Sequence, residues 1–277
     1  MTTTAKDTRV EGTVTSADGT AIAYERQGSG PPVLLVASAL ADRRDARKLA
    51  GLLAEHHTVI NYDRRGRGAS GDGPAYAVER EIEDIAALNA AAGGGAALFG
   101  SSSGAVLALR AAASGLDVSR VAVYEPPFVV GDANGFGPPD GFAARIDALL
   151  AADRRGDAVR AFMREAQGMP AFLVASMRLM PGTWAGLKRL APTLPYDLAV
   201  MDGTQRGGPF APQPWSRITA PTLVLTGGKS PAGFHAAAEA LTAAVPSAEH
   251  RTLPGLNHGA VMMAPKRLAP TLTDFLN

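Results

Sequence analysis

At 277 residues the chain is long enough for one large domain or two small ones, and a fold of this size buries about 75% of its unfolded surface. With 27 basic and 26 acidic side chains, a formal charge of +1 leaves no electrostatic footprint for nucleic acid, and the lack of cysteine excludes disulfides, thiolate metal sites and a thiol nucleophile. No stretch is apolar for long enough to span a bilayer and the opening MTTTAKDTRVEG lacks the apolar core of a signal peptide, so the expectation is a cytoplasmic protein that does not engage a membrane.

The first element predicted is a hairpin. Val10–Val14 and Ala21–Arg26 alternate or carry β-branched residues, and Asp18-Gly19 supplies the turn. PPVLLVAS (31–38) is a continuous apolar run after two prolines, the pattern of a strand buried on both faces. A helix over 43–55, the strand HTVINYD (57–63), a helix over 78–92 and the strand AALFG (96–100) follow. A helix over 103–114 and the strand VAVYE (121–125) complete this half. Two arginine-rich stretches, DRRDARK (42–48) and DRRGRG (63–68), read as solvated faces or structural turns because acids interrupt or balance them.

From 128 to 215 strand signals vanish and short helical pieces appear among prolines and glycines. The alternation then resumes with PTLVLTG, a helix over 233–245, the strand AEHRTLP and a last helix over 265–276. Strands alternating with helices predict an α/β fold with a mostly parallel sheet covered on both faces. Residues 1–127 and 216–277 form its core, and 128–215 a helical insertion.

Gly100-Ser101-Ser102-Ser103-Gly104 fits G-x-S-x-G, preceded by a strand and followed by a helix. Such a turn forces Ser102 into a strained backbone with its side chain exposed, while the flanking glycines remove the Cβ atoms that would clash. The helix then aims its N-terminal amides at the same point. A serine hydroxyl needs a base to take its proton. Among five histidines, His56 and His57 fall where a helix hands over to a strand and are expected to face solvent. His235 falls on a surface helix and His250 at a strand start. His258, in LPGLNHGA after the last strand, lies at the carboxyl edge of the sheet, where catalytic groups gather in open α/β folds.

NYDRRGRGAS, GSSSGA and LPGLNH together resemble the turn after the fourth strand, the nucleophile elbow and the histidine loop of the α/β-hydrolase superfamily. The chain is especially similar to its small bacterial esterase-like and haloperoxidase-like members. The resemblance spans nearly the whole chain and implies that 128–215 caps the active site. Two features depart from the pattern. Where the family carries His-Gly after its third strand this chain has Ala37-Ser38, followed by Ala39; the backbone amides of Ala39 and Ser103 are then the expected oxyanion donors. The usual position of the triad acid, after PTLVLTG, is held by Ser230, with no carboxylate before Glu239. Glu125, which ends the preceding core strand, stands at the alternative acid position used by some members.

The resemblance implies a serine hydrolase acting on an ester, thioester or lactone of a small apolar molecule, with no cofactor and no metal. Ser102 is the nucleophile, His258 the base and Glu125 the acid. The alternatives are a non-hydrolytic biosynthetic enzyme (a cyclase or lyase) and a ligand-binding protein using the same pocket. Met169, Phe172, Met177, Leu179, Met180 and Trp184 of the insertion could line an apolar pocket or form the insertion's own core. Gly66-Arg67-Gly68-Ala69-Ser70-Gly71 also matches G-x-G-x-x-G, but no helix opens from it, so it is not read as a nucleotide site. The oligomeric state is not legible.

Overall fold

The computed structural model describes residues 9–132 and 137–277. The opening hairpin pairs β1 (Val10–Thr15) with β2 (Ala21–Gln27) in antiparallel register, Val10 opposite Arg26 and Thr15 opposite Ala21. Then come β3 (Pro32–Val36), α1 (Arg43–Leu53), β4 (Thr58–Tyr62), α2 (Val78–Ala91), β5 (Ala97–Ser101), α3 (Ser103–Ala113) and β6 (Val121–Tyr124). The described residues build one eight-stranded sheet in the order β1-β2-β4-β3-β5-β6 followed by β7 (Thr222–Gly227) and β8 (Ala248–Leu253). β2 meets β4 antiparallel, and every pair from β4–β3 to β7–β8 is parallel. The helices that end the chain are α9 (Ala232–Ala244), α10 (Ala260–Met263) and α11 (Pro265–Leu276), numbered after the five helices of the insertion described below.

The central strands are buried on both sides, which is why they read as predominantly apolar runs. Successive side chains of a strand alternate between faces, and the two cores divide accordingly. Leu34, Val36, Leu98, Val121 and Val123 pack in one cluster with α2, α3 and α9. Val33, Leu35, Ala97, Phe99, Ala122 and Tyr124 pack in the other with α1 and α11.

Between β6 and β7 the described residues form α4 (Phe142–Ala151), α5 (Arg155–Ala161) continued by a π turn, α6 (Ala171–Arg178), α7 (Pro181–Leu190) and α8 (Leu194–Val200). They share a third apolar cluster, Phe142, Ile146, Val159, Phe162, Leu190 and Leu194, with Ala39 and Leu40 from the loop after β3. α8 packs against α2, α3 and α4 and so joins the insertion to the sheet layer.

Two expectations are corrected. His57 is fully buried rather than solvated, while His56 is exposed. The cause is the loop before β3, where a Cβ on Gly28 would stand 2.3 Å from the His57 carbonyl oxygen, and one on Gly30 2.4 Å from that of His56. Only a chain without side chains there can lie so close across the α1–β4 turn. The stretch DRRGRG is a structural turn but not a solvated face, since Arg64, Arg65 and Arg67 are all buried and paired to acids.

Candidate active site

Ser102 and Glu125 follow the carboxyl ends of β5 and β6, and His258 lies in the loop after β8. Ser102 has φ 53° and ψ −126°, a strained conformation for a residue with a side chain. The flanking glycines permit it: a Cβ on Gly100 would sit 2.3 Å from the Gly104 carbonyl oxygen, and one on Gly104 2.4 Å from that of Val36. The Ser102 amide donates to the Tyr124 carbonyl at 2.9 Å, which ties the elbow to β6. Ser101 pairs with Tyr124 in the parallel register, so Ser102 and Glu125 leave neighbouring strands one step beyond the same rung.

Glu125 is fully buried and also holds a positive φ, 50°. Its Oε1 accepts from the Gly227 amide at 2.6 Å, and its Oε2 lies 2.7 Å from His258 Nδ1. With the proton on Nδ1 the ring donates to the carboxylate and leaves Nε2 as the free base. The histidine loop is brought in by close contact: a Cβ on Gly227 would meet the Leu256 carbonyl oxygen at 2.5 Å. Tyr124 Oη donates to the Asn257 carbonyl at 2.7 Å, and burial pushes its phenol well above the ordinary range, so it remains a donor. Phe234 stacks on the His258 ring at 4.6 Å between centroids. The imidazole, still 30% exposed, is therefore fixed by a carboxylate at one edge and an aromatic ring against its face.

Ser230, at the usual acid position, bonds elsewhere. Its amide donates to the Gly227 carbonyl, and its hydroxyl is buried with no partner among the described residues. His235 is half-buried and, with His250, reaches Thr226 rather than Ser102; their nitrogens lie 3.3 and 2.8 Å from Thr226 Oγ1. Burial lowers the His250 pKa, and the neighbouring His235 adds to this.

The loop after β3 is arranged differently from a free pair of oxyanion donors. The Ala39 amide donates to Ser103 Oγ at 2.8 Å, and Ser103 Oγ donates to Asp197 Oδ1 at 2.8 Å. Ala41 N–H to Ser38 C=O, at 3.3 Å, closes a turn whose third residue, Leu40, has φ 55°. No sequence signal marked Asp197, because its partners lie 94 to 133 residues away along the chain. Arg64 and Arg67 of the stretch DRRGRG were the visible half of that cluster.

The insertion's apolar residues divide. Met169, Met177 and Trp184 pack against the third core cluster. Phe172, Leu179 and Met180 are 71%, 83% and 56% exposed and belong neither to that core nor to an enclosed pocket. Gly66 and Gly68 shape a tight turn instead of a phosphate cradle: a Cβ on Gly68 would fall 2.0 Å from Asp63 Oδ2, and the next helix after the turn starts only at Val78. Among the described residues no three His, Cys, Asp or Glu side chains converge on a metal position, and no helix is long and apolar enough to cross a membrane.

Comparison with known proteins shows the family and the fold. The sequence pattern of the family described as "Alpha/beta hydrolase family" matches residues 28–271. An alpha/beta hydrolase from Sphaerobacter thermophilus DSM 20745 is 50% identical, with a TM-score of 0.88 over 96% of this chain and 100% of that one. A hydrolase from Pseudomonas aeruginosa PA01 is 22% identical, with a TM-score of 0.74 over 99% of this chain and 100% of that one, a likeness of fold. The uncharacterized hydrolase YraK of Bacillus subtilis (strain 168) is 40% identical over 95 residues. That match spans 33% of this chain and 35% of the relative's length.

Proposed function

Because the chain belongs to the alpha/beta hydrolase family and is an enzyme of that fold, we propose that it is a serine hydrolase cleaving an ester, thioester or lactone of a small, apolar molecule. The observation that carries this reading is the His258–Glu125 pair at 2.7 Å, formed by a fully buried carboxylate one strand away from the strained Ser102. In this reaction Ser102 Oγ attacks the carbonyl while His258 Nε2 takes its proton, and the same proton then goes to the leaving group. Glu125 keeps the ring in the useful tautomer and stabilises the imidazolium as it forms. Water releases the acyl group by the same steps in reverse.

The oxyanion would be received by the Ser103 amide, at the first turn of α3, and by a second amide from the turn 38–41. Ala39 holds the position that the family resemblance names for that second donor, but its N–H is committed to Ser103 Oγ, so the amide of that turn left to serve is that of Leu40. Helices α4 to α8 act as a cap over 128–215. Ala39 and Leu40 lie in one apolar cluster with Phe142, Ile146 and Phe162 of the cap, which favours an apolar acyl group.

Steady-state hydrolysis of p-nitrophenyl esters with short and medium acyl chains tests the reading. Wild-type protein is expected to turn them over, and Ser102→Ala to fall by at least ~10³. Equal rates in the two proteins would refute it.

A further inference from the structure

Asp197 is a carboxylate without solvent exposure, carried on α8, and it accepts hydrogen bonds from three core side chains. Arg64 donates to its Oδ1 at 2.6 Å, Arg67 to its Oδ2 at 2.6 Å, and Ser103 Oγ to its Oδ1 at 2.8 Å. With its own proton committed to Asp197, the Ser103 oxygen can only accept, and it accepts from the Ala39 amide at 2.8 Å. The same two arginines hold the neighbouring carbonyls. Arg64 donates to Ala37 at 3.1 Å, and Arg67 to Ser38 at 2.6 Å and Ala41 at 3.1 Å.

Four of the five residues from 37 to 41 are therefore tied to one buried cluster. The fifth, Leu40, is the residue at φ 55°. A non-glycine residue stays in that region only where its surroundings over-determine it. Ala37-Ser38-Ala39-Leu40 contains no glycine to adopt the conformation freely, so the clamp supplies what the sequence does not. The result leaves the amides of Leu40 and Ser103 without protein acceptors among the described residues, at the turn and helix start where the oxyanion would form.

We infer that Asp197 and the Ser103 hydroxyl are positioning residues for the turn that receives the oxyanion, so that the insertion completes the active site through α8 as well as covering it. This rests on the serine-hydrolase reading above. Asp197→Asn keeps the side chain's shape but replaces an acceptor oxygen by a donor, so it cannot serve Arg64, Arg67 and Ser103 together. Ser103→Ala removes the hydroxyl alone, keeps the backbone amide, and leaves the Arg64 and Arg67 pairs with Asp197 intact.

Both variants, shown to be folded by circular dichroism, are compared with wild type in hydrogen exchange of peptides covering 37–41, in ester kinetics, and in inhibition by a boronic acid. The expected result is exchange faster by about tenfold in that segment. Alongside it, kcat falls about 10- to 100-fold with KM nearly unchanged, and boronate affinity falls in step with kcat/KM. A purely structural role for the cluster would not move kcat and boronate affinity together at constant KM. Unchanged exchange at 37–41 in folded Ser103→Ala, or faster exchange with kcat within about twofold of wild type, overturns the inference. Failure of the hydrolase reading is distinct, because wild-type protein would then show no ester turnover, and the exchange result would still decide whether the clamp exists.

Discussion

Glu125 stands one residue past the end of β6 with a positive φ, and both of its oxygens are engaged, one by the Gly227 amide and one by His258. A carboxylate held this way orients the imidazole and offsets the charge it gains, so Glu125→Gln is expected to lower kcat by ~10⁴ while leaving the fold intact. Steady-state kinetics beside a thermal melt check this, and full activity in Glu125→Gln would remove Glu125 from the proposed triad. The residue was visible in the sequence only by subtraction, since Ser230 held the usual acid position and VAVYE ended in a carboxylate at a sheet edge. Its partner Ser102 was visible directly, because the two glycines that admit its strained backbone are written in the motif. Asp197 and the burial of His57 were not visible at all, for both depend on segments that meet only when the chain is folded.

Elements were legible where burial imposes one rule along the whole segment. The central strands are apolar at most positions because both faces are covered, and β3 to β7 fall within the stretches that this pattern marks. Helices of the insertion such as α6 and α7 have one buried residue each, Val174 and Leu190, which is too little periodicity to define their limits from sequence. α11 keeps its helix despite Pro270, an exposed residue in mid-helix that cannot donate to the preceding turn. Pro270→Ala is expected to stabilise the protein by about 1–3 kcal/mol, read as a higher denaturant midpoint with an unchanged slope. Between β2 and α1, burial raises the Glu25 pKa, but the bonds and charges of Arg47, Arg43 and Arg9 outweigh it, and the net pKa is lowered. A lowered carboxylate stabilises the fold above its unfolded pKa of about 4.5 and loses that contribution as pH falls through the folded value. Glu25→Gln should therefore lower stability at neutral pH and flatten its loss below about pH 4.5; parallel acid limbs in the two proteins would contradict this assignment.

At the scale of the whole molecule, the sheet's carboxyl edge, the loop after β3 and the insertion meet at one buried cluster of two arginines and two carboxylates, Arg64, Arg67, Glu81 and Asp197. Its charges balance, yet loss of one member leaves others buried without compensation, so Arg64→Met is expected to destabilise the protein by about 3–5 kcal/mol in urea unfolding. The order of strands and helices foretold the overall architecture, because right-handed parallel crossovers leave few ways to arrange them. It did not foretell that the insertion reaches Ser103, the neighbour of the proposed nucleophile, through a carboxylate. The central claim is that Ser102 is a nucleophile activated by His258, and covalent labelling by a fluorophosphonate, read by intact mass and mapped by peptide mass, tests it most directly. The account predicts one adduct per chain, located on Ser102, absent from Ser102→Ala and strongly slowed in His258→Ala. A folded wild-type protein that takes no label, or takes it equally well without Ser102, would contradict it.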